Sequence, residues 1–592
     1  MRAQILGTLA ALLCSAGMAH GASDRAPVPA LMPLPAQISP GSGAFTVEAG
    51  TALVIADDAS VRQVAHYFGD LLFRTRGFRP AIVQADGAAP PKKAIQFTLQ
   101  NTAATAESYR LDISSQGIVL IAGDRAGLFY GAITLWQLLS ADAAPTQSIR
   151  VAGVSIADQP RLRWRGLTLD SARQFQSIEF IKRFIDTMAL HKLNVLQWHL
   201  ADDQAWRLEL RRFPQLTAVN GIGTKFYTQL QVADIVAYAA ERNVTVVPSF
   251  GMPGHASAMI TAYPQLAAGA ETRDLLNADE GTFVFIGDVI NEAAQLFPGA
   301  CINLGSADFP FERWRSAPKI QARMRELGYT SERQLHDYFV KRIVALGAGR
   351  GRRIIGWDQL ADAGLPVLSS RGLDGALAAV AAGHDVVVSS LNLLDFNHKQ
   401  SSDIGEPPGN DAVVRLEDVY AFDPAPAALP AEDLQRLIGV HANVWTDFVR
   451  SEVEMDVIAF PRGAALAEIG WSPASQQRWA SFVNRLVPQM RRYDKLGIRY
   501  SDALFRVAII PRGGASSSRI GIELSRQASS GEIRYTLNGT EPTARSPVYM
   551  DLLEVKAPAT IKAATFLDAI PLSSTVTLQV DDAALAASTI SN

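Results

Sequence analysis

Cysteine is almost absent from this chain of 592 residues, in which Cys14 and Cys301 are the only two. Cys14 lies in an amino-terminal segment that we expect to be removed, so the mature chain would keep Cys301 alone and could form no internal disulfide. Cys301 begins an apolar stretch with no evident base beside it, which favours a buried structural thiol over a nucleophile. Stability must therefore come from the size of the hydrophobic core.

Long hydrophobic runs are also missing, since no segment reaches the roughly 18 to 20 uninterrupted apolar residues of a membrane-spanning helix. The apolar run from about Ile5 to Leu13 follows a single Arg2 and precedes small residues at Ala19 and Gly21. This pattern is typical of a cleaved export signal, which we place at residues 1–21. We expect a periplasmic or extracellular protein without membrane association once the signal is gone.

An excess of charge of one sign is lacking as well. The chain has 55 Lys and Arg against 58 Asp and Glu, a formal net charge of −3, and the two signs are mixed along it. Nothing in that distribution attracts a polyanion, so nucleic acid is not an expected partner. The sequence shows neither close metal-ligand spacing nor a glycine-rich phosphate loop after a strand, so we predict no metal and no cofactor. It does not indicate an oligomeric state.

The chain is too long for one hydrophobic core, and its 48% hydrophobic residues can fill several domains. Residues 30–156 combine strand patterns with two helical patterns, which predicts a small α+β domain. Residues 507–581 alternate polar and apolar positions and contain the turn pair Asn538-Gly539, which predicts a small carboxyl-terminal β-sandwich.

Strand and helix patterns alternate between residues 160 and 500. Eight stretches have strand character, namely WRGLTLD, NVLQWHLAD, NVTVVPSFG, CINLG, RRIIGWD, LPVLSS, HDVVVSSL and IGVHANVW. Eight strands with crossover helices predict a (β/α)8 TIM barrel, so the fold class is α/β with a domain on either side of the barrel. In such barrels the functional side chains gather at the carboxyl ends of the strands.

Charged and aromatic side chains occur at several of these predicted strand ends. They are Arg165, Asp170, Arg173, His199, Asp202, Asp203, His255, Asp308, Trp357, Asp358, Trp445 and Asp447. Arginines and carboxylates can bond to many hydroxyls, while flat aromatic rings suit the C–H faces of a sugar. The set predicts a pocket for a polyhydroxylated ligand.

These motifs together resemble glycoside hydrolase family 20, the β-N-acetylhexosaminidases. The matching stretches follow in order over nearly all of the mature chain: RGLTLD, FIDTMALHKLNVLQWHLADDQAWRLEL, IVAYAAERNVTVVP, MPGHA, IIGWD, AGHDVVV, ANVWTD and AFPRGAALAEIGWS. The GEIRYTLNGTEPTARSPVY stretch resembles that family's chitobiase-type carboxyl-terminal module. The amino-terminal region resembles its α+β domain.

The resemblance implies an enzyme that removes a terminal, non-reducing β-linked N-acetylhexosamine with retention of configuration. In that family the substrate's own 2-acetamido oxygen acts as the nucleophile, an acid protonates the leaving oxygen, and the preceding residue orients the acetamido group. By position, Asp308 is the candidate acid. The resemblance assigns substrate binding to Arg165, Asp202, His255, Trp357, Trp445 and Asp447, with Asp202 and His255 supporting the acid.

The sequence departs from the family at the acetamido side of the site. The family's Gly-Gly-Asp-Glu reads Gly305 to Asp308, so the acid is shorter and the orienting carboxylate is replaced by Ala307. Ser370 and Leu393 stand where the family has Trp and Tyr. Ser249 and Gly251 stand where the third strand usually carries acids, and Asp447 replaces a Glu.

These departures leave two alternatives to the hypothesis that the protein is a β-N-acetylhexosaminidase. One is a catalytically impaired or re-specialised family member that still binds glycans, since Ala307, Ser370 and Leu393 all fall on the acetamido side. The other is a hydrolase for sugars without a 2-acetamido group. That enzyme would need a nucleophilic carboxylate, for which Asp202 and Asp395 are the first candidates.

Overall fold

The computed structural model describes residues 29–85, 93–100, 105–142, 144–218, 225–305, 310–358, 366–403, 405–516 and 519–581. The predicted signal at residues 1–21, and Ala307 and Asp308 of the predicted acid motif, lie outside the described residues. Within the described ranges, no helix is both long enough and apolar enough to cross a bilayer.

The amino-terminal domain is a mixed sheet covered by two helices, as the sequence predicts. Its elements are β1 (Gln37–Glu48), β2 (Ala52–Ile55), α1 (Ala59–Arg76), β3 (Ala81–Gln84), β4 (Ile95–Leu99), β5 (Tyr109–Ser114), β6 (Gly117–Ala122), α2 (Arg125–Leu139) and β7 (Ser148–Asp158). In this part of the chain the described strands follow the order β1-β7-β5-β6-β4-β2-β3. The Asp58 and Asp124 side chains cap α1 and α2 by accepting bonds from backbone N–H groups.

The predicted barrel is confirmed: among the described residues, eight parallel strands close on themselves. They are β8 (Trp164–Asp170), β9 (Val195–Ala201), β10 (Thr245–Phe250), β13 (Cys301–Asn303), β14 (Arg353–Trp357), β15 (Val367–Ser369), β16 (Val386–Val388) and β19 (Leu437–Val444). Short strand pairs in the loops are β11 (Ala267–Gly269) with β12 (Thr272–Leu276), and β17 (His398–Lys399) with β18 (Asn410–Val413).

Helices surround the barrel or extend its loops. They are α3 (Ile178–Leu190), α4 (Gln215–Ala218), α5 (Gln229–Glu241), α6 (Ser257–Ala262), α7 (Glu280–Leu296), α8 (Phe311–Arg315), α9 (Pro318–Leu327), α10 (Glu332–Ala348), α11 (Gly372–Ala381), α12 (Leu391–Leu394), α13 (Leu416–Ala421), α14 (Ala431–Arg436), α15 (Glu452–Ala459), α16 (Arg462–Trp471) and α17 (Trp479–Leu496). Two short 3₁₀ turns cover Pro264–Leu266 and Ala474–Gln476.

Helix α3 shows how the sequence positions the strands that carry the site. Ser177 caps its first turn, and its buried side chains recur on one face at Phe180, Phe184 and Met188. Burying each such side chain contributes about 1.5 to 3 kcal/mol, which fixes the helix against the barrel. The chain then turns back into β9, whose seven residues are all buried.

The carboxyl-terminal module consists of two small sheets, which confirms the predicted β-sandwich. One sheet contains β20 (Ala508–Ser516), β21 (Arg519–Ser525) and β23 (Leu553–Lys556). The other contains β22 (Glu532–Thr536), β24 (Ala559–Leu567), β25 (Ile570–Pro571) and β26 (Val576–Val580). Ile522, Ile533 and Ile561 belong to a core of its own, separate from that of the barrel.

Candidate active site

The carboxyl ends of the barrel strands surround a cavity of about 220 Å³. Its lining residues are Arg173, His199, Asp202, Ser249, Gly251, His255, Gly305, Trp357, Leu391, Asp395, Trp445 and Asp447. The cavity therefore brings together five of the seven residues that the sequence predicts for the site. Asp308, the predicted acid, lies outside the described residues, and Arg165 lies elsewhere in the fold.

Arg173 is the central charged group of this cavity. Its guanidinium contacts three carboxylates, with N–O distances of 2.8 Å to Asp170, 2.9 Å to Asp202 and 3.0 Å to Asp447. It also lies 5.5 Å from the ring centre of Trp445. Burial alone would lower the pKa of Arg173, but the carboxylates outweigh burial and hold that pKa well above its ordinary value. Arg173 thus links loops from the first, second and eighth strands.

Asp202 lies in the loop directly after β9 and accepts hydrogen bonds from two imidazoles. His199 Nε2 lies 2.9 Å from Asp202 Oδ2, and His255 Nδ1 lies 3.0 Å from Asp202 Oδ1. Burial opposes ionisation of Asp202, yet the bonds from His199 and His255 and the charge of Arg173 keep its pKa far below the ordinary range. Asp202 is therefore an anion that can only accept hydrogen bonds.

His255 is a cation at neutral pH. Hydrogen bonds to Asp202 and Asp203 raise the pKa of His255 to about 10, against the opposing effect of burial. Asp202, Asp203 and His255 place one ligand atom each within 4.8 Å of one another, which is close enough for a metal ion. The same ring nitrogen, His255 Nδ1, lies 3.0 Å from Asp202 and 3.4 Å from Asp203, at ion-pair distances, so we interpret the group as an ion-pair cluster.

Two indole rings and Leu391 line the apolar part of the cavity. The ring centres of Trp357 and Trp445 lie 6.5 Å apart with 44° between their planes. His199 stands edge-on to Trp445 with its ring centre 5.5 Å away. Flat apolar walls beside charged groups are the surfaces that a sugar ring requires.

Asp395 adds a carboxyl group that the sequence offered only as an alternative nucleophile. It is 8% exposed, and Asn443 Nδ2 donates to its Oδ1 at 2.7 Å. Burial raises the pKa of Asp395 to about 7, and the charge of Asp447 adds to this, although hydrogen bonds from Asn443 and Trp445 oppose it. Near neutral pH this group exists in both protonation states, and its protonated form can donate a hydrogen bond to a ligand.

Replacing Asp395 with asparagine is expected to reduce the loss of stability at alkaline pH. The pKa of about 7 in the folded protein lies above the ordinary 3.8, so stability falls as the pH rises between these values. The full cost is present above pH 7 and amounts to at most about 4 kcal/mol. Asp395→Asn cannot ionise, and its free energy of unfolding should therefore decrease less between pH 5 and pH 8. Urea unfolding at both pH values measures this difference, and an equal decrease in both proteins would contradict it.

Arg165 does not line the cavity, and the prediction that it binds the substrate is wrong. It is the second residue of β8 and lies near the amino end of the barrel, opposite the cavity. Its guanidinium is fully buried and donates to Glu107 at 2.8 Å and to the carbonyls of Lys192 and Leu162 at 2.8 and 2.7 Å. Arg165 therefore joins the barrel to the amino-terminal domain.

Two of the altered positions lie outside the cavity lining. The backbone N–H and the hydroxyl of Ser370 donate to Asp358 Oδ2 at 2.7 and 2.5 Å. Leu393 is partly buried against the main hydrophobic core. Leu391 and Asp395, on either side of Leu393 in the loop after β16, line the cavity instead. Neither altered residue offers a polar group to a ligand there.

Comparison with known proteins identifies the family and the fold. Residues 162–474 match the catalytic domain of glycosyl hydrolase family 20, residues 28–159 match domain 2 of that family, and residues 511–577 match the chitobiase/β-hexosaminidase carboxyl-terminal domain. A β-hexosaminidase of Porphyromonas gingivalis is 35% identical over 570 residues, which cover 90% of this chain and 72% of that protein.

Solved structures support the same family assignment. The exo-β-N-acetylglucosaminidase of Vibrio harveyi in complex with N-acetylglucosamine aligns with a TM-score of 0.72 and 28% identity, over 80% of this chain and 79% of that one. The N-acetyl-β-hexosaminidase of Streptomyces plicatus aligns with a TM-score of 0.69 and 30% identity, over 80% and 97% of the two chains. The family resemblance is thereby confirmed, and this chain belongs to glycosyl hydrolase family 20.

Proposed function

We propose that the protein releases terminal, non-reducing β-linked N-acetylhexosamine from glycans or chitooligosaccharides. Its family and relatives make it a glycosidase of the β-hexosaminidase type, and the proposal adds the exo mode and the sugar. The observation that supports it is the cavity of about 220 Å³ lined by Arg173, Asp447 and two tryptophans. This volume is below the roughly 300 to 1,000 Å³ of pockets for larger ligands and suits a single ring.

The charged groups of the cavity suit the hydroxyls of that ring. Arg173 presents a planar donor held by three carboxylates, and Asp447 is 40% exposed and can accept from a hydroxyl. Asp395 can donate or accept, depending on its protonation. Trp357 and Trp445 would pack against the C–H faces, so polar and apolar surfaces of the sugar each meet their complement.

The proposed reaction is substrate-assisted. Asp308 would donate a proton to the glycosidic oxygen as the bond to C1 breaks, while the substrate's acetamido oxygen attacks C1 from the opposite face. Asp308 would then accept a proton from the water that opens this intermediate, and the two displacements retain the configuration. The anion Asp202 and the cation His255 would support the acid electrostatically.

We also propose that the chain is exported to the periplasm or the medium, on the basis of the signal pattern at residues 1–21. Fractionation of cells and amino-terminal sequencing of the mature protein test this. A protein that keeps Arg2 and stays with the cytoplasmic fraction would contradict it.

The function is tested by following chitotriose hydrolysis with proton NMR. We expect N-acetylglucosamine and chitobiose as the first products, with the released monosaccharide appearing as its β-anomer before mutarotation. Early α-anomer would contradict the retaining mechanism. A chitohexaose digest that first yields internal fragments would contradict the exo mode.

Calorimetric titration with N-acetylglucosamine and with glucose measures how much the acetamido group contributes to binding.

A glycan-binding, catalytically impaired or re-specialised protein is the second candidate. It is favoured by the positions of Ser370 and Leu393, which offer no group to the cavity, and by Ala307 in the acid motif. This alternative predicts sugar binding in calorimetry without turnover, or equal affinity for N-acetylglucosamine and glucose. Turnover of chitotriose within tenfold of the P. gingivalis relative, measured side by side, would exclude it.

A further inference from the structure

Ser249, His199 and Asp202 form a continuous hydrogen-bonded chain in the wall of the cavity. Ser249 Oγ lies 3.1 Å from His199 Nδ1, and His199 Nε2 lies 2.9 Å from Asp202 Oδ2. Ser249 and His199 are paired in register on the adjacent parallel strands β10 and β9, so their side chains project in the same direction. The sheet therefore fixes Ser249 against His199, while Asp202 lies in the loop directly after β9.

The direction of the hydrogen bonds follows from Asp202. Asp202 is ionised and can only accept, so the proton between it and His199 resides on His199 Nε2. In the neutral imidazole the other nitrogen, Nδ1, then carries a lone pair and accepts from the hydroxyl of Ser249. A hydroxyl bonded to a basic nitrogen, which is itself oriented by a carboxylate, is the arrangement that activates a serine nucleophile.

The chain opens onto the cavity. All three residues line it, although Ser249 is only 3% exposed and His199 only 5%. The ring centres of Trp445 and His199 lie 5.5 Å apart with 88° between their planes, and the low exposure of Ser249 and His199 limits access of water to the pair. The serine is also one of the two positions where this third strand lacks the acid typical of the family.

We propose that this cavity has a second hydrolytic activity, the removal of a short O-acyl group such as acetyl from a bound sugar. Ser249 is the nucleophile, His199 the general base and acid, and Asp202 the residue that positions His199. The activity is distinct from glycoside cleavage, since it breaks an ester bond and needs no acid at position 308.

The reaction balances without a further reactant other than water. Ser249 Oγ attacks the acyl carbon and passes its proton to His199 Nδ1. The ester C–O bond then breaks, and the leaving sugar hydroxyl takes that proton. Water, deprotonated by His199, hydrolyses the acyl-serine, releases the carboxylic acid and returns the proton to Ser249. Arg173 and His255 are cations that line the same cavity and favour the negative charge of the tetrahedral intermediates.

Covalent labelling tests the proposal directly. The full-length protein is incubated with a fluorophosphonate, and its peptides are analysed by mass spectrometry. Turnover of 4-nitrophenyl acetate is measured in parallel. We expect one modified residue, Ser249, and an esterase kcat/KM that falls about 100-fold or more in Ser249→Ala. The matched control is Ser316→Ala, which removes an exposed hydroxyl bonded to the carbonyl of Arg313 and should retain the wild-type rate.

A second variant covers the case in which Ser249→Ala is poorly folded. Ser249→Cys retains a nucleophile beside the same base, so it should form a thioester with 4-nitrophenyl acetate that mass spectrometry detects. His199→Gln should abolish both the fluorophosphonate label and the esterase activity. The proposal is overturned if the wild-type protein takes no label at Ser249, or if Ser249→Ala hydrolyses the ester at the wild-type rate.

Discussion

Replacing Asp308 with alanine is expected to lower kcat/KM for chitobiose by about 100- to 10,000-fold, the contribution of a positioned general acid. Asp308 lies outside the described residues, so the expectation depends on the resemblance to the family's motif and on Gly305, which lines the cavity at the start of the same motif. A sugar is a poor leaving group and needs the proton while the glycosidic bond breaks. The variant should still bind N-acetylglucosamine, because Arg173 and the tryptophans are unchanged.

The leaving group separates an acid from a merely structural residue. An aryl N-acetyl-β-glucosaminide with a 4-nitrophenyl leaving group needs little protonation, so the same variant should lose far less activity on it than on chitobiose. Asp411→Ala removes a fully exposed carboxylate and is the control that should change neither rate. Equal losses on the two substrates, or no loss on chitobiose, would remove Asp308 from the acid position.

Replacing Arg173 with methionine is expected to lower kcat/KM on both substrates by about 100-fold or more, the effect of removing one partner of a buried charge network. The loss should appear chiefly as a higher KM, because the guanidinium is proposed to bind hydroxyls rather than to transfer a proton. The variant also leaves Asp170, Asp202 and Asp447 without their shared cation, so its free energy of unfolding should decrease. Steady-state kinetics and urea unfolding measure the two effects.

Arg165→Met provides the matched comparison, since it removes the other arginine of the same strand motif. Arg165 is buried against Glu107 and two carbonyls at the opposite end of the barrel. Its loss should lower the free energy of unfolding by about 3 to 5 kcal/mol. The folded fraction should keep the wild-type KM to within about twofold. A higher KM in Arg165→Met and an unchanged KM in Arg173→Met would reverse our assignment.

The barrel could be predicted from the sequence because its strands are short, almost wholly apolar and separated by helical patterns. Each of the eight predicted stretches coincides with an observed strand to within a few residues at its ends, and NVLQWHLAD, for example, contains the seven buried residues of β9. Such runs are typical of parallel strands buried on both faces. The polar groups that follow them meet at one edge, which is why five predicted site residues share a cavity.

The choice between Arg165 and Arg173 could not be made from the sequence alone. Arg165 is the second residue of β8 and Arg173 follows its end, and these positions decide which of the two faces the cavity. In the structure Arg173 follows the last residue of β8, Asp170, by three positions and so lies at the end that carries the cavity. The resemblance assigns substrate binding to Arg165, at the beginning of the motif, instead.

Contacts between distant segments set the remaining features of the site. The elevated pKa of Asp395 depends on its burial beneath Asn443 and Trp445, which lie almost 50 residues further along the chain. The pair of Ser249 and His199 depends on the register of β9 and β10. Neither relation has a local sequence signal, because each arises only when the barrel closes.

The crystal structure of the protein with N-acetylglucosamine bound tests the central claim most directly. We predict a sugar ring packed against Trp445 and Trp357, with hydroxyls within hydrogen-bonding distance of Arg173 and Asp447. A sugar bound elsewhere on the chain, or an empty cavity at a ligand concentration that saturates binding in calorimetry, would contradict the assignment of this cavity as the active site.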